Sequence, residues 1–164
     1  MSWLPASAPG TTSLDRVFGL RPELYEQYRE FAELFWRLRV VDPVLLELCR
    51  LRVAALLGCA RELELRRPEA AGAGLGEKKI AALDDWRRSS VFSPVERACL
   101  AFAEKFVLEP HGLSDEDAAA VSAHLSPAEM VAFTEALALF DGFARFQILL
   151  GVAPETAPDA RVQQ

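Results

Sequence analysis

Two helix starts of the same construction, Ser93-Pro94-Val95-Glu96 and Ser126-Pro127-Ala128-Glu129, constrain the fold of this chain more than any other feature. In each, the serine hydroxyl accepts from the third helical N–H, and the glutamate reaches back to the serine N–H. Proline fills the first helical position, where its missing donor costs nothing. Asp42-Pro43 repeats the cap and the proline, and Ser114 is followed by Asp115, Glu116 and Asp117, acids that favour the positive end of a helix. Strand signals are nearly absent: β-branched residues are sparse, no stretch alternates cleanly, and Ala, Leu, Glu and Arg dominate every periodic segment. The chain reads as all-α.

The spacing predicts where the helices run. From Pro22, residues Leu24, Tyr28, Phe31, Phe35 and Leu38 recur at intervals of four and three, one apolar stripe on a helix ending near Arg39. Asp42-Pro43 opens an apolar helix through about Leu57, interrupted by Gly58. A further helix starts at Cys59 and ends or kinks near Pro68. The AAGAGLG stretch reads as a turn and Glu77 to Trp86 as a short helix. Val95, Cys99, Phe102 and Phe106 stripe the helix after Ser93, and the helix opened at Ser114 ends near Leu125.

The last helix, about Pro127 to Leu150, puts Met130, Phe133, Leu137, Phe140 and Ala144 on one seam and Val131, Leu139, Phe143 and Phe146 elsewhere around it. Glu129, Glu135, Asp141 and Arg145 argue against a membrane span. A second apolar face then has to be buried by other helices or by a second subunit, and a homo-oligomer is the expectation.

With 164 residues, 51% of them hydrophobic, the chain is long enough for one core, expected at residues 21–152 between an N-terminal extension (1–20) and a flexible tail (153–164). A net charge of −6 removes the drive toward phosphate backbones, so nucleic acid is not an expected partner. The first ten residues carry neither a basic start nor a continuous apolar run, so a cytoplasmic protein is expected. The three cysteines, Cys49, Cys59 and Cys99, are an odd set of reduced thiols rather than a disulfide framework.

The other chemistry-bearing residues read as structural. His111 falls in a turn and His124 at a helix end, without cysteines at metal-ligand spacing, so no metal is expected. The glycine turn lacks the lysine of a phosphate loop. Asp84-Asp85 and Asp115 to Asp117 read as solvated helix ends, and Trp36 and Trp86 as packing residues.

Glu47, Gly58, Cys59, Glu62, Arg66, Ala70, Gly74 and Ile80 follow a recognisable spacing. The segment from Glu47 through Leu83 resembles the alkylhydroperoxidase D-like proteins of the carboxymuconolactone decarboxylase family. Their signature is a glutamate, then Gly-Cys-x-x-Cys-x-x-x-His, then a glycine turn and another helix. With FDGFARFQILLGV resembling the family's C-terminal helix, the likeness extends from roughly Pro22 to Val152. It implies an alkylhydroperoxidase D-like bundle of about six to seven helices, with no cofactor.

In redox-active members, the resemblance implies, two cysteines reduce a peroxide or an oxidised partner through a disulfide, while the glutamate and histidine relay protons. Cysteines in the first turn of a helix meet its positive end, which lowers the thiol pKa, and their spacing lets a bridge open and close. Residue by residue, Glu47 matches the glutamate and Cys59 the first cysteine. Glu62 replaces the second cysteine, the one expected to attack, and Arg66 replaces the histidine. A carboxylate and a guanidinium cannot do thiol chemistry. Rescue by another cysteine is not expected: Cys49 lies ten residues earlier along the same helical run, and Cys99 sits on an apolar stripe.

Three readings of Glu47, Cys59, Glu62 and Arg66 follow. The first is a divergent member of the family without dithiol peroxidase turnover, in which Glu62 and Arg66 pair along the helix surface. The second is a single-thiol sensor at Cys59, whose helix position and neighbour Arg61 would lower its pKa while Glu62 and Glu64 oppose that effect. The third is a non-redox enzyme or binding protein for an acidic or neutral small molecule, with Arg66 as anchor and Glu47 or Glu62 as general base.

Overall fold

The computed structural model describes Leu4 and residues 12–154. Among the described residues all regular structure is helical: α1 (Ser13–Phe18), α2 (Pro22–Leu38), α3 (Pro43–Leu57), α4 (Ala60–Glu64), α5 (Pro68–Gly72), α6 (Glu77–Ala81), α7 (Pro94–Leu108), α8 (Asp115–Ser122) and α9 (Pro127–Leu149), with 3-10 turns at Leu83–Asp85 and Pro110–Gly112. Ser93, Ser114 and Ser126 each form the reciprocal cap with the acid three residues on, and the Asp42 carboxylate accepts from the N–H groups of Val44 and Leu45.

α3 is the central element. It is mostly apolar and buried on nearly every side, so it is stable only when covered all round, and it packs chiefly against α7 and α9, with further contacts to α4 and α5. Leu45, Leu46, Leu48, Cys49, Leu51 and Val53 of α3 join Cys99, Leu100 and Phe102 of α7 and Phe133, Ala136 and Leu137 of α9 in one buried cluster. Trp36 and Trp86 are in it too, as expected of packing residues.

Several expectations change. The Cys59 helix ends at Glu64, earlier than expected, because Leu65 is extended, and Pro68 then opens α5 where a turn was expected. The helix expected over residues 77–86 breaks at Ala82 into α6 and a 3-10 turn. Inside the expected N-terminal extension, α1 forms with its own Thr12–Asp15 capping box. Its Phe18 stacks on Tyr25 at 4.2 Å and on Phe146 at 5.1 Å, and Tyr28 stacks on Phe143 at 4.2 Å. Those contacts cover, within one chain, part of the second apolar face of α9 that had suggested a second subunit. The tail beyond Pro154 lies outside the described residues.

The α2 stripe divides as well. Trp36 and Ala32 are buried, with Tyr28 and Phe35 half-buried, whereas Leu24, Phe31 and Leu38 face outward. α2 turns the arc of Ala32 and Trp36, not the centre of the stripe, toward the core, so the stripe lies at the border between core and water.

Candidate functional site

The turn at Gly58 builds the site. Its φ of +71° is left-handed backbone that costs a glycine nothing; it ends α3 and swings Cys59 into the N-cap of α4. α4 then runs back beside α3, which brings Glu62 to a charge that α3 carries in its interior, Arg50.

Arg50 is the residue that sequence reasoning missed. Its Nε donates to Glu47 Oε2 at 2.7 Å and its Nη2 to Glu47 Oε1 at 2.8 Å, a two-pronged ion pair. Its Nη1 donates to the Glu62 carboxylate and to the Glu62 carbonyl, both at 2.8 Å, and Nη2 also reaches the Leu65 carbonyl at 2.9 Å. The signal was present: Glu47 and Arg50, three apart, are two of the three charged residues of a mostly apolar α3, and the two that it buries.

Burial alone would pull the guanidinium pKa down, but the hydrogen bonds and charges of Glu47 and Glu62 outweigh it and hold the group above its ordinary value. Glu47 also accepts the Arg67 N–H at 3.2 Å, and Glu62 Oε1 accepts from Gln147 Nε2 of α9 at 2.6 Å.

The four residues singled out from sequence have separate fates. Glu47 is completely buried behind Arg50. Glu62 is ion-paired to Arg50, and the surface pair with Arg66 does not form, because the helix stops before Arg66 and its guanidinium bonds the carbonyls of Leu63 and Leu65 instead. Cys59 is 3% exposed, packed with Ala54, Ala144 and Leu57. Burial pushes its thiol up, and the Glu62 and Arg61 N–H groups at the helix start pull down without reversing this. Cys49 and Cys99 are core residues, their thiols raised by burial, that of Cys99 to about 12.

Beside this cluster lies a cavity of about 280 Å³. Arg50 and Glu62 line it from α3 and α4, Tyr28 and Trp36 from α2, and Phe140 and Phe143 from α9. Arg29, Arg61, Arg66 and Arg67 also line it, against Glu33 and Glu62 as the acids among its described lining residues. Arg67 is held by Glu33 at 2.8 Å and stacks on Trp36 at 4.9 Å. Arg29 and Arg66 face no carboxylate at ion-pair distance among the described residues. Burial and the nearby Glu62 charge both raise the Tyr28 phenol, which stays a neutral donor. Among the described residues no group of His, Cys, Asp or Glu is clustered to hold a metal ion, and no helix is long and apolar enough to cross a membrane.

The sequence model of the carboxymuconolactone decarboxylase family matches residues 22–105, just over half of the chain and the whole of the site except the α9 contribution. The chain belongs to the carboxymuconolactone decarboxylase family. As a family member it is 27% identical over 112 residues to the uncharacterized protein YnjA of Escherichia coli strain K12, an alignment covering 68% of this chain and 62% of that one. It is 33% identical over 64 residues to the uncharacterized protein YdfG of Bacillus subtilis strain 168, covering 39% of this chain and 44% of that one. The chain thus spans less than two thirds of the length of either relative. A crystal structure from Agrobacterium tumefaciens, of a protein of unknown function for which the name AhpD and a role in antioxidant defence have been put forward, superposes with a TM-score of 0.76. That match is 23% identical, covering 90% of this chain and 100% of the other, and it establishes the alkylhydroperoxidase D-like fold.

Proposed function

We propose that this family member has exchanged dithiol chemistry for a non-redox site that binds a small organic anion with a flat apolar body. One observation carries the reading: Glu62, in the position of the second thiol, is held between Arg50 and Gln147 while lining an open cavity. A dithiol reaction needs a thiolate and a partner thiol within about 7 Å between alpha carbons. Here the one cysteine is buried, its thiol is raised, and its partner position is a carboxylate committed to an ion pair.

The cavity supplies what an anion needs. Among the described residues Arg66 and Arg29 have no carboxylate at ion-pair distance, and a guanidinium can take a carboxylate by two parallel hydrogen bonds. Tyr28, Phe140 and Phe143 offer aromatic surface for the rest of the molecule. About nine waters would fill the space, at ~30 Å³ each, so a single-ring ligand fits. If a reaction accompanies binding, Glu62 is the carboxylate placed to accept a proton, and Glu47 positions it through their shared Arg50. The burial that supports this reading weighs against Cys59 as a single-thiol sensor.

The experiment is calorimetric titration with benzoate and with benzamide, its uncharged counterpart, alongside a peroxidase assay with a supplied thiol reductant. Benzoate should bind and benzamide should not, Arg66→Gln should weaken benzoate binding, and no peroxide should turn over. Peroxide turnover abolished by Cys59→Ser would overturn the reading, as would equal affinity for acid and amide.

A further inference from the structure

Arg67 is the most firmly placed cation at the mouth of the cavity, and it already holds a carboxylate. Its backbone N–H donates to Glu47 Oε1 at 3.2 Å, which ties the segment between α4 and α5 to the buried ion pair of α3. Its guanidinium lies over the Trp36 ring, 4.9 Å from the centroid, and Trp36 is itself buried. One end of the residue is thus fixed by a buried carboxylate and the other by a buried ring. Arg66, by contrast, turns its guanidinium onto the carbonyls of Leu63 and Leu65 in its own segment.

The carboxylate on Arg67 belongs to Glu33 of α2, and the contact is an exchangeable one. Arg67 Nη1 donates to Glu33 Oε1 at 2.8 Å, a single hydrogen bond where Arg50 takes Glu47 by two. The Glu33 side chain is 49% exposed, and an ion pair that open to water shifts an equilibrium by only a few fold. Four residues back on α2 stands Arg29, within reach of Glu33 along the helix surface. Arg29 also lines the cavity and faces no carboxylate at ion-pair distance among the described residues.

We propose that Arg67 is the anchor for the ligand's carboxylate and that Glu33 is the resident competitor which the ligand displaces. A planar carboxylate that forks onto Arg67 makes two hydrogen bonds where Glu33 makes one. The released Glu33 turns to Arg29, so the exchange strands no charge. Glu33 thereby selects what enters: an anion able to pair in two-pronged fashion wins the exchange, and a neutral analogue has nothing to displace it with. An internal carboxylate also lowers the apparent affinity for every outside anion by the fraction of time it holds Arg67. This inference rests on the ligand reading above and names the cation and the gate of that site.

The test is calorimetric titration of benzoate into the full chain and into Glu33→Gln, Arg67→Gln and the double variant. Glutamine at position 67 keeps the backbone N–H that Glu47 accepts, so helical circular dichroism should be unchanged in all of them. Glu33→Gln should bind benzoate about two- to sixfold more tightly, because the internal competitor is gone. Arg67→Gln should bind it about tenfold more weakly or worse, and in that background Glu33→Gln should lose most of its gain. That comparison separates release of Arg67 from the general effect of removing a negative charge beside the cavity. Benzoate binding by the parent that Glu33→Gln leaves unchanged or weakens would overturn this inference alone, as would a gain undiminished without Arg67. Benzoate bound by none of the four proteins would overturn the ligand reading and this inference with it.

Discussion

Arg50 grips Glu47 with two parallel hydrogen bonds, at 2.7 and 2.8 Å, inside a helix where both side chains are shut off from solvent. The remaining guanidinium N–H groups are spent on the Glu62 carboxylate and on the carbonyls of Glu62 and Leu65 at the end of α4. Two carboxylates and the C-terminal end of α4 are therefore oriented by a single cation, and Glu47 carries the link on to the Arg67 N–H at the start of α5.

Replacing that cation should be severe. Arg50→Met leaves Glu47 buried with its charge uncompensated, and a loss of about 3–5 kcal/mol is expected in denaturant unfolding. Arg50→Lys should lose less but still substantially, because an ammonium cannot match the carboxylate by a planar two-pronged contact. A lysine variant as stable as the parent would show that the fork geometry is dispensable.

The Cys59 thiol should react slowly. Burial raises its pKa above the ordinary thiol value, so the reactive thiolate is scarce at neutral pH. Alkylation by iodoacetamide, followed by mass spectrometry of the Cys59 peptide, should still be accelerating at pH 9. A rate that levels off below pH 8 would mean that the helix start outweighs burial after all.

Glu104 gives acid sensitivity a definite place. Burial raises its pKa, but hydrogen bonds from Trp86, Arg87 and Arg52 more than reverse this and hold the carboxyl below the ordinary range. A lowered folded pKa means stability that is fully present above the unfolded value of about 4.3 and is lost as pH falls through the folded one. Glu104→Gln should therefore cost roughly 1–3 kcal/mol at pH 7. The gap to the parent should close as pH falls below about 4, followed as chemical-denaturation midpoints; a gap that widens on acidification would reverse the assignment.

Two left-handed positions should respond in opposite senses. Gly58→Ala puts a side chain at φ +71° and should cost about 1–2 kcal/mol. Arg39 already sits at φ +50° as the C-cap of α2, so Arg39→Gly should gain roughly 0.5–1 kcal/mol. Thermal unfolding of the two variants side by side reads both effects.

What the amino-acid sequence determined by itself is whatever rests on neighbours a few residues apart. The caps at Ser93, Ser114 and Ser126 close between residues three apart, so the starts of α7, α8 and α9 were legible, as was the end of α3 at Gly58. The family spacing from Glu47 to Ile80 likewise identified the fold and showed that Glu62 and Arg66 stand where the thiol and the histidine belong. Tertiary structure decided the partners. The i,i+4 rule pairs Glu62 with Arg66, but α4 stops first, and Glu62 instead meets Arg50, twelve residues away on α3, and Gln147, eighty-five residues away on α9. Likewise, Leu24 and Phe35 belong to one stripe of α2, yet Phe35 packs against the core while Leu24 stays exposed, because what covers each turn of the helix depends on where the distant helices lie. Local spacing sets which residues share a helix surface; only the packing of distant helices sets which part of that surface meets water, which meets the core, and which charge a buried carboxylate finds.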